Sequence, residues 1–331
     1  MPTTSAQRAL VTGGAGFIGS HLVESLVAAG VHVTVVDDLS TGSERNLEAA
    51  RAAAPGRVEF VRGTVGSVLP GWQGPAFGAI YHLAAAVGVR LVVEEPVRTI
   101  ETNVLETSAV LAFAARTRTP VLVASTSEVY GKGVRTPFRE DDDLVFGPST
   151  VSRWSYGISK AVDEHLALAL ARRESLPVVV ARFFNTVGPR QSGRWGMVLP
   201  RFVQAALDGV PLEVHGDGLQ ARCFCDVRDV APALPRMLAA SACHGRVFNV
   251  GSDRIVTILE LADLVRRTVG SASPVVHRSY DQAYGPDFED LRVRQPDLSR
   301  IRAAIGFAPA IPLERTVADV AAAFAGAGAP R

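Results

Sequence analysis

Leu10-Val11-Thr12-Gly13-Gly14-Ala15-Gly16-Phe17-Ile18-Gly19-Ser20-His21 is the stretch that decides the fold class. An apolar strand, residues 8–12, runs into glycines and then into an amphipathic segment, residues 17–29, with Gly30 as its expected C-cap. Gly14, Gly16 and Gly19 match G-x-G-x-x-G, in which the glycines allow the tight turn, close backbone approach to a pyrophosphate and close helix–strand packing. The amides at the helix start then face the anion. Gly13, Gly16, Phe17, Ile18 and Gly19 are therefore expected at a dinucleotide. A second strand, residues 31–36, leads to Asp37-Asp38, an acid about 20 residues beyond the loop. Asp37 there binds both ribose hydroxyls and repels a 2′-phosphate, which predicts NAD.

The remainder continues a doubly wound α/β rhythm. A turn and short helix fill residues 39–57 before a strand at 58–61, and a strand at 79–83 ends in Leu83-Ala84-Ala85-Ala86, small residues where a cofactor crosses the sheet edge. A long helix over 96–116 opens on Pro96, and the β-branched run 121–125 delivers Ser125-Thr126-Ser127-Glu128 to the same carboxyl edge. Residues 131–152 are loop-like, and their acidic run 140–143 is expected to be a solvated face. A helix over 153–173 carries Tyr156 and Lys160, and a strand follows at 178–184. Past Asn185 the elements shorten around Gly-Pro and Gly-Asp-Gly turns, although 247–250 has the pattern of one more core strand. Helices are expected around 259–269, 298–305 and 313–324. The expected architecture is a Rossmann-type doubly wound parallel sheet with a smaller C-terminal α/β substrate lobe. Residues 1–185 form the cofactor domain and 186–331 mainly the substrate domain, with segments about 222–252 returning to the Rossmann core.

Composition narrows the function. With 331 residues, 47% of them hydrophobic, the chain can fill a large core. Its 34 basic and 33 acidic residues leave a net charge of +1, which argues against nucleic acid or a membrane surface as partner and for a small ligand. Cys223, Cys225 and Cys243 make no disulfide framework, and Cys-x-Cys lacks the second ligand pair of a zinc site, so no metal is expected. No apolar run approaches about 18 residues, and the first residues lead into the first strand without a charged-then-apolar leader. A cytoplasmic location is expected.

Tyr156 and Lys160 stand one helical turn apart, so both project from one face toward the edge reached by Thr126. Tyr-x-x-x-Lys occurs by chance on many helices; behind a dinucleotide loop and a Ser-Thr-Ser strand end it predicts a redox site. An ammonium beside a phenol is expected to lower the phenol's pKa and make Tyr156 a usable base.

From about Arg8 to Phe324 the chain resembles the extended short-chain dehydrogenase/reductase family that modifies nucleotide sugars. Four further stretches carry the likeness: Ser125-Thr126-Ser127-Glu128-Val129-Tyr130-Gly131, Arg153-Trp154-Ser155-Tyr156, Phe183-Phe184-Asn185-Thr186-Val187-Gly188-Pro189-Arg190 and Arg294-Gln295-Pro296-Asp297. They are similar to the branch acting on UDP-glucuronic acid, which includes UDP-xylose synthase, the lipid A decarboxylase and UDP-apiose synthase. The resemblance implies catalytic roles for Thr126, Ser127, Glu128, Tyr156, Lys160 and Arg294, substrate contacts for Asn185 and Arg222, and a homodimer through the helices over 96–116 and 153–173, whose faces include Leu166 and Leu170.

The residues fit decarboxylation of UDP-glucuronate to UDP-xylose or a UDP-4-keto-pentose. Oxidation at C4 makes a β-keto acid that loses its carboxylate once the enolate is stabilised, and Arg294 with Ser127-Glu128 supplies cations and donors near C5 and C6. Dehydratases of the family carry Thr-Asp-Glu, so Ser127 speaks against dehydration. The alternative is a UDP-glucuronate or UDP-hexose 4-epimerase, which needs only the triad. Gly88-Val89-Arg90 resembles that group, and Arg90 holds a carboxylate in either reading. A non-catalytic NAD-binding regulator is the remote alternative; such proteins generally lack the Tyr or Lys retained here. Thr64 replaces an aspartate that touches adenine in many relatives, and Phe288 replaces a tyrosine of the lipid A decarboxylase.

Overall fold

β-Branched and aliphatic runs too apolar to face water build the central sheet. The computed structural model describes residues 7–88, 92, 94–194, 196–284 and 291–326. Its first six strands are β1 (Arg8–Thr12), β2 (His32–Asp37), β3 (Val58–Arg62), β4 (Ala79–His82), β5 (Val121–Thr126) and β6 (Val178–Phe183). The smaller strands are β7 (Thr186–Val187), β8 (Leu212–His215), β9 (Ala221–Cys223) and β10 (Cys225–Asp226). They are followed by β11 (Arg246–Val250), β12 (Ile255–Thr257), β13 (Val275–Arg278) and β14 (Val293–Arg294). Seven strands form one parallel sheet in the order β11-β6-β5-β4-β1-β2-β3. The order reverses between β1 and β4, and ligands of doubly wound sheets bind at such a reversal.

Helices cover both faces because both are apolar. One core cluster joins Val11, Leu22, Val35 and Leu122 to Leu234, Met237 and Phe248; the other joins Leu10, Ile80, Val110, Val123, Ala167 and Val180. Pro96–Thr117 and Ser155–Glu174 pack side by side on the second face. The chain leaves this core after β6 and comes back through residues 225–250 and again at Leu298, Ile301 and Phe307. Arg222 stands just before the first return, in the small sheet β12-β9-β14. A third cluster under that sheet, including Phe202, Val214, Leu261 and Val317, forms the lobe over the carboxyl edge. Element bounds fall within a few residues of those expected.

The acidic run is only partly a solvated face. Asp141 is exposed, but Glu140 is buried, accepting from the Asn249 backbone N–H at 2.9 Å and facing Arg300 at 3.5 Å. The returning strand β11 brings an amide that this carboxylate satisfies, a contact between residues 109 positions apart.

Candidate functional site

The glycine loop begins where β1 ends. Gly13 has φ +69°, and a Cβ there would stand 2.7 Å from the backbone N of Ala84; one at Gly19 would stand 2.1 Å from the Gly13 carbonyl oxygen. Neither position accommodates a side chain, so the loop lies flat against β4 and the following helix, Phe17–Ala28, starts tight on it. Gly16 at the N-cap offers no side-chain cap, leaving the first-turn amides to face the cleft. Asp37 closes β2 buried beside the loop, its carboxylate accepting from Ala15 N at 3.0 Å and Leu39 N at 2.8 Å. Burial raises its pKa, opposed by those two amides.

A single cleft of about 690 Å³ connects this loop to the C-terminal lobe. Of the residues expected at a cofactor, Gly13, Gly16, Phe17, Ile18, Gly19, Asp37, Leu83, Ala84 and Ala85 all line it. Thr126, Ser127, Glu128, Tyr156, Lys160, Asn185, Arg222 and Arg294 line the same cleft. Arg90 and Phe288 lie outside the described residues. Thr64 borders the cleft, but its hydroxyl caps Val65–Val68 by accepting from Ser67 N at 3.2 Å.

At the centre, β5 ends in Thr126 and the chain turns into a 3-10 helix, Ser127–Tyr130, with the Thr126 hydroxyl accepting from Glu128 N at 3.2 Å. Ser155–Glu174 brings Tyr156 against that hydroxyl and carries Lys160, 2% exposed, at the wall of the same cleft. Glu128 lies between two guanidiniums: Arg153 at 2.6 Å on one oxygen and Arg294 on the other. Burial pushes the Glu128 carboxyl up, but Arg153 and Arg294 outweigh it and hold the pKa at about 2. β14 runs parallel to β9 with Arg294 opposite Arg222, so two buried guanidiniums enter the cleft side by side. Arg222 also donates to the carbonyls of Ala221 at 2.8 Å and Leu291 at 2.9 Å.

Two sequence expectations change here. Lys160 does not pull the Tyr156 phenol down: burial raises the phenol's pKa, Glu128 and Asp163 raise it further, and only the Thr126 hydrogen bond acts the other way. The ammonium is instead paired with Asp163 at 2.7 Å, and that carboxylate is fully buried. Arg153 has no role in the sequence reading beyond its place in a quoted motif, and it contacts Glu128 directly. The i+3 spacing of Lys160 and Asp163 is the signal that was available for the first pair; for Arg153 the signal was its position three residues before Tyr156.

Ser125 turns away from the cleft chemistry, donating to Glu164 at 2.5 Å, and Glu164 in turn holds Arg182 at 2.7 Å. Among the described residues, Arg294 Nε, Asn185 Oδ1, Gln191 Oε1 and Gln220 Oε1 are buried without a hydrogen-bond partner, and all four residues line the cleft. Buried polar atoms left unpaired at a cavity wall mark the place of a polar ligand.

The model of the NAD dependent epimerase/dehydratase family matches residues 9–251 of the chain. The chain belongs to that family. NAD is accordingly its cofactor, and the glycine cradle, Asp37 and the small residues ending β4 fit the dinucleotide. The UDP-N-acetyl-alpha-D-glucosaminuronate decarboxylase of Bacillus cytotoxicus is 37% identical over 312 residues, 93% of this chain and 95% of that protein. UDP-glucuronic acid decarboxylase 1 of Danio rerio is 35% identical over 311 residues, 93% of this chain and 70% of that one. Among solved structures, UDP-glucose 4-epimerase from Thermotoga maritima, determined with UDP-glucose, superimposes with a TM-score of 0.84 at 27% identity, covering 97% of this chain and 99% of that one. No described helix is long and apolar enough to cross a membrane.

Proposed function

We propose that the chain oxidises a UDP-linked hexuronate at C4, decarboxylates the β-keto acid so formed and reduces C4 again, converting UDP-glucuronate to UDP-xylose. The observation that carries this reading is the Glu128 cluster. One carboxylate between Arg153 and Arg294 leaves positive charge in surplus beside Tyr156, as recognition of a substrate carboxylate requires. The two decarboxylase relatives, each named for a UDP-linked uronic acid, support it.

NAD, when bound, would supply hydride acceptance and return. Gly13, Gly16, Phe17, Ile18, Gly19, Asp37, Leu83, Ala84 and Ala85 would hold it, together with Tyr156 and Lys160. Tyr156 takes the C4 hydroxyl proton and Thr126 steadies that oxygen. The C4 ketone lies β to the carboxylate, so the C5–C6 bond breaks with its electrons delocalised onto the C4 oxygen, where Tyr156 and Lys160 stabilise them; carbon dioxide leaves, and a proton from solvent adds at C5 to restore the C4 ketone before C4 is reduced. Glu128, ionised between its arginines, positions Arg294 and the ring, and a carboxyl held at about 2 is a poor proton donor at neutral pH. Asn185 and Arg222 hold the diphosphate and uridine end.

Incubation with NAD and UDP-glucuronate followed by mass spectrometry tests the reading. The expected product is lighter by carbon dioxide. A product of unchanged mass and new stereochemistry replaces decarboxylation with 4-epimerisation, the second reading, which the Thermotoga maritima likeness favours and which uses Thr126, Tyr156 and Lys160 alone.

We infer also a homodimer through Pro96–Thr117 and Ser155–Glu174. Ile100 and Leu105 on the first helix and Ile158, Val162 and Leu166 on the second are exposed apolar side chains that a four-helix bundle would cover. Light scattering at micromolar concentration is expected to give twice the chain mass; a monomer overturns it. The three buried free thiols suit a reducing compartment and support a cytoplasmic location.

A further inference from the structure

Lys160 and Asp163 form an ion pair that the reaction as written does not require. Both are buried, at 2% and 0% side-chain exposure, and Nζ lies 2.7 Å from Oδ2. The neighbouring carboxylate, Glu164, is committed to Arg182 and Ser125, which leaves Asp163 for the ammonium. Burial raises the Asp163 pKa; the charge and hydrogen bond of Lys160 oppose that, and the Thr107 hydroxyl from Pro96–Thr117 acts in the same sense as Lys160. That hydroxyl is bonded at 3.0 Å by His82 Nε2. His82 Nδ1 meets the Thr12 hydroxyl at 2.7 Å, at the last residue before the glycine loop. Burial and the Lys160 charge lower the His82 pKa to about 3, so its ring is neutral and bridges the two hydroxyls with one donor and one acceptor nitrogen.

We propose that Asp163 is a positioning residue for the reaction, the counterion that holds the Lys160 ammonium charged and turned to the cleft. The physical need is direct. A lysine this deeply buried relieves an unpaired charge by giving up its proton, and a neutral amine neither stabilises an enolate nor grips a ribose hydroxyl as an ammonium does. The charged and titratable groups around the ammonium are Asp163 and Tyr156 on its own helix and His82 on β4, with Glu164 taken up by Arg182 of β6. Of the carboxylates, Asp163 is the one in contact. The proposal rests on the reading of Lys160 as the lysine that serves cofactor and phenol.

The chain is suited to a direct test because Lys132 and Lys160 are its only lysines. Lysine side-chain NMR on isotope-labelled protein therefore follows Lys160 against Lys132, which is exposed over the Trp154 ring. In Asp163→Asn the Lys160 signal is expected to titrate at lower pH, its proton affinity down about a hundredfold, with Lys132 unmoved. Asp163→Ser, which also removes the charge, is expected to shift Lys160 the same way, and it carries the test if the asparagine variant does not fold. Calorimetric NAD affinity, measured without sugar, is expected to fall about tenfold or more in Asp163→Asn and to show no further loss when that change is added to Lys160→Met. An unmoved Lys160 titration, or additive losses in the double variant, would overturn the proposal. A shifted Lys160 in a protein that leaves UDP-glucuronate untouched would uphold the anchoring while sinking the decarboxylase reading.

Discussion

Tyr156→Phe is expected to reduce turnover about 10²–10⁴-fold while NAD still binds. The substitution deletes one oxygen and leaves the ring in place on Ser155–Glu174, so the glycine loop, Asp37 and Lys160 are untouched. What is lost is the atom that takes the C4 hydroxyl proton beside the Thr126 hydroxyl. The sign of the pH dependence follows from the same surroundings. Burial, then Glu128 and Asp163, favour the protonated phenol, so the base form grows as pH rises and turnover climbs on the alkaline side. Thr126→Val removes the one contact that favours phenolate and is expected to move that limb to still higher pH. Steady-state rates across pH with UDP-glucuronate, beside NAD titrations of each variant, check both statements. Tyr156→Phe retaining more than about a tenth of the rate would show that another group is the base.

Much of this cleft was readable because local chemistry wrote it. Gly13 to Gly19 need a particular backbone path whatever surrounds them, and Asp37 is set by the length of one strand-helix-strand unit. The order of strands follows from parallel crossovers, and Tyr156 with Lys160 is a one-turn spacing. The electrostatics were not readable, because they depend on burial and on partners far along the chain. Lys160 looked like a cation free to acidify a phenol until Asp163 proved to be its buried partner. Glu140 looked like part of a charged surface until β11, more than a hundred residues later, supplied the amide it accepts. Glu128 pairs with Arg294 across 166 positions, a juxtaposition made by the lobe's small sheet and by no local pattern.

That last pair yields the second large effect. Arg294→Met is expected to lower decarboxylation about 10²–10³-fold while hydride transfer from C4 persists, seen as NADH absorbance that builds up in place of released carbon dioxide. Arg294 is buried, its Nε is without a partner at the cleft wall, and one of its terminal nitrogens is held by Glu128, so the fork is oriented before any substrate arrives. Methionine fills similar volume and removes only charge and donors. Glu128 then keeps Arg153 alone, and its pKa rises from about 2 toward the usual carboxylate range. A carboxylate whose folded-state pKa is depressed contributes stability that is present above its unfolded pKa and is lost as pH falls toward about 2. The variant is therefore expected to lose stability near neutral pH and to show a smaller drop on acidification than the unsubstituted chain. Because Arg153 remains, the loss should stay below the roughly 3 kcal/mol of a fully orphaned buried charge. Urea titrations at neutral and acid pH measure that difference. If hydride transfer and decarboxylation fall together, Arg294 serves binding as a whole and the carboxylate site must be built by Arg153.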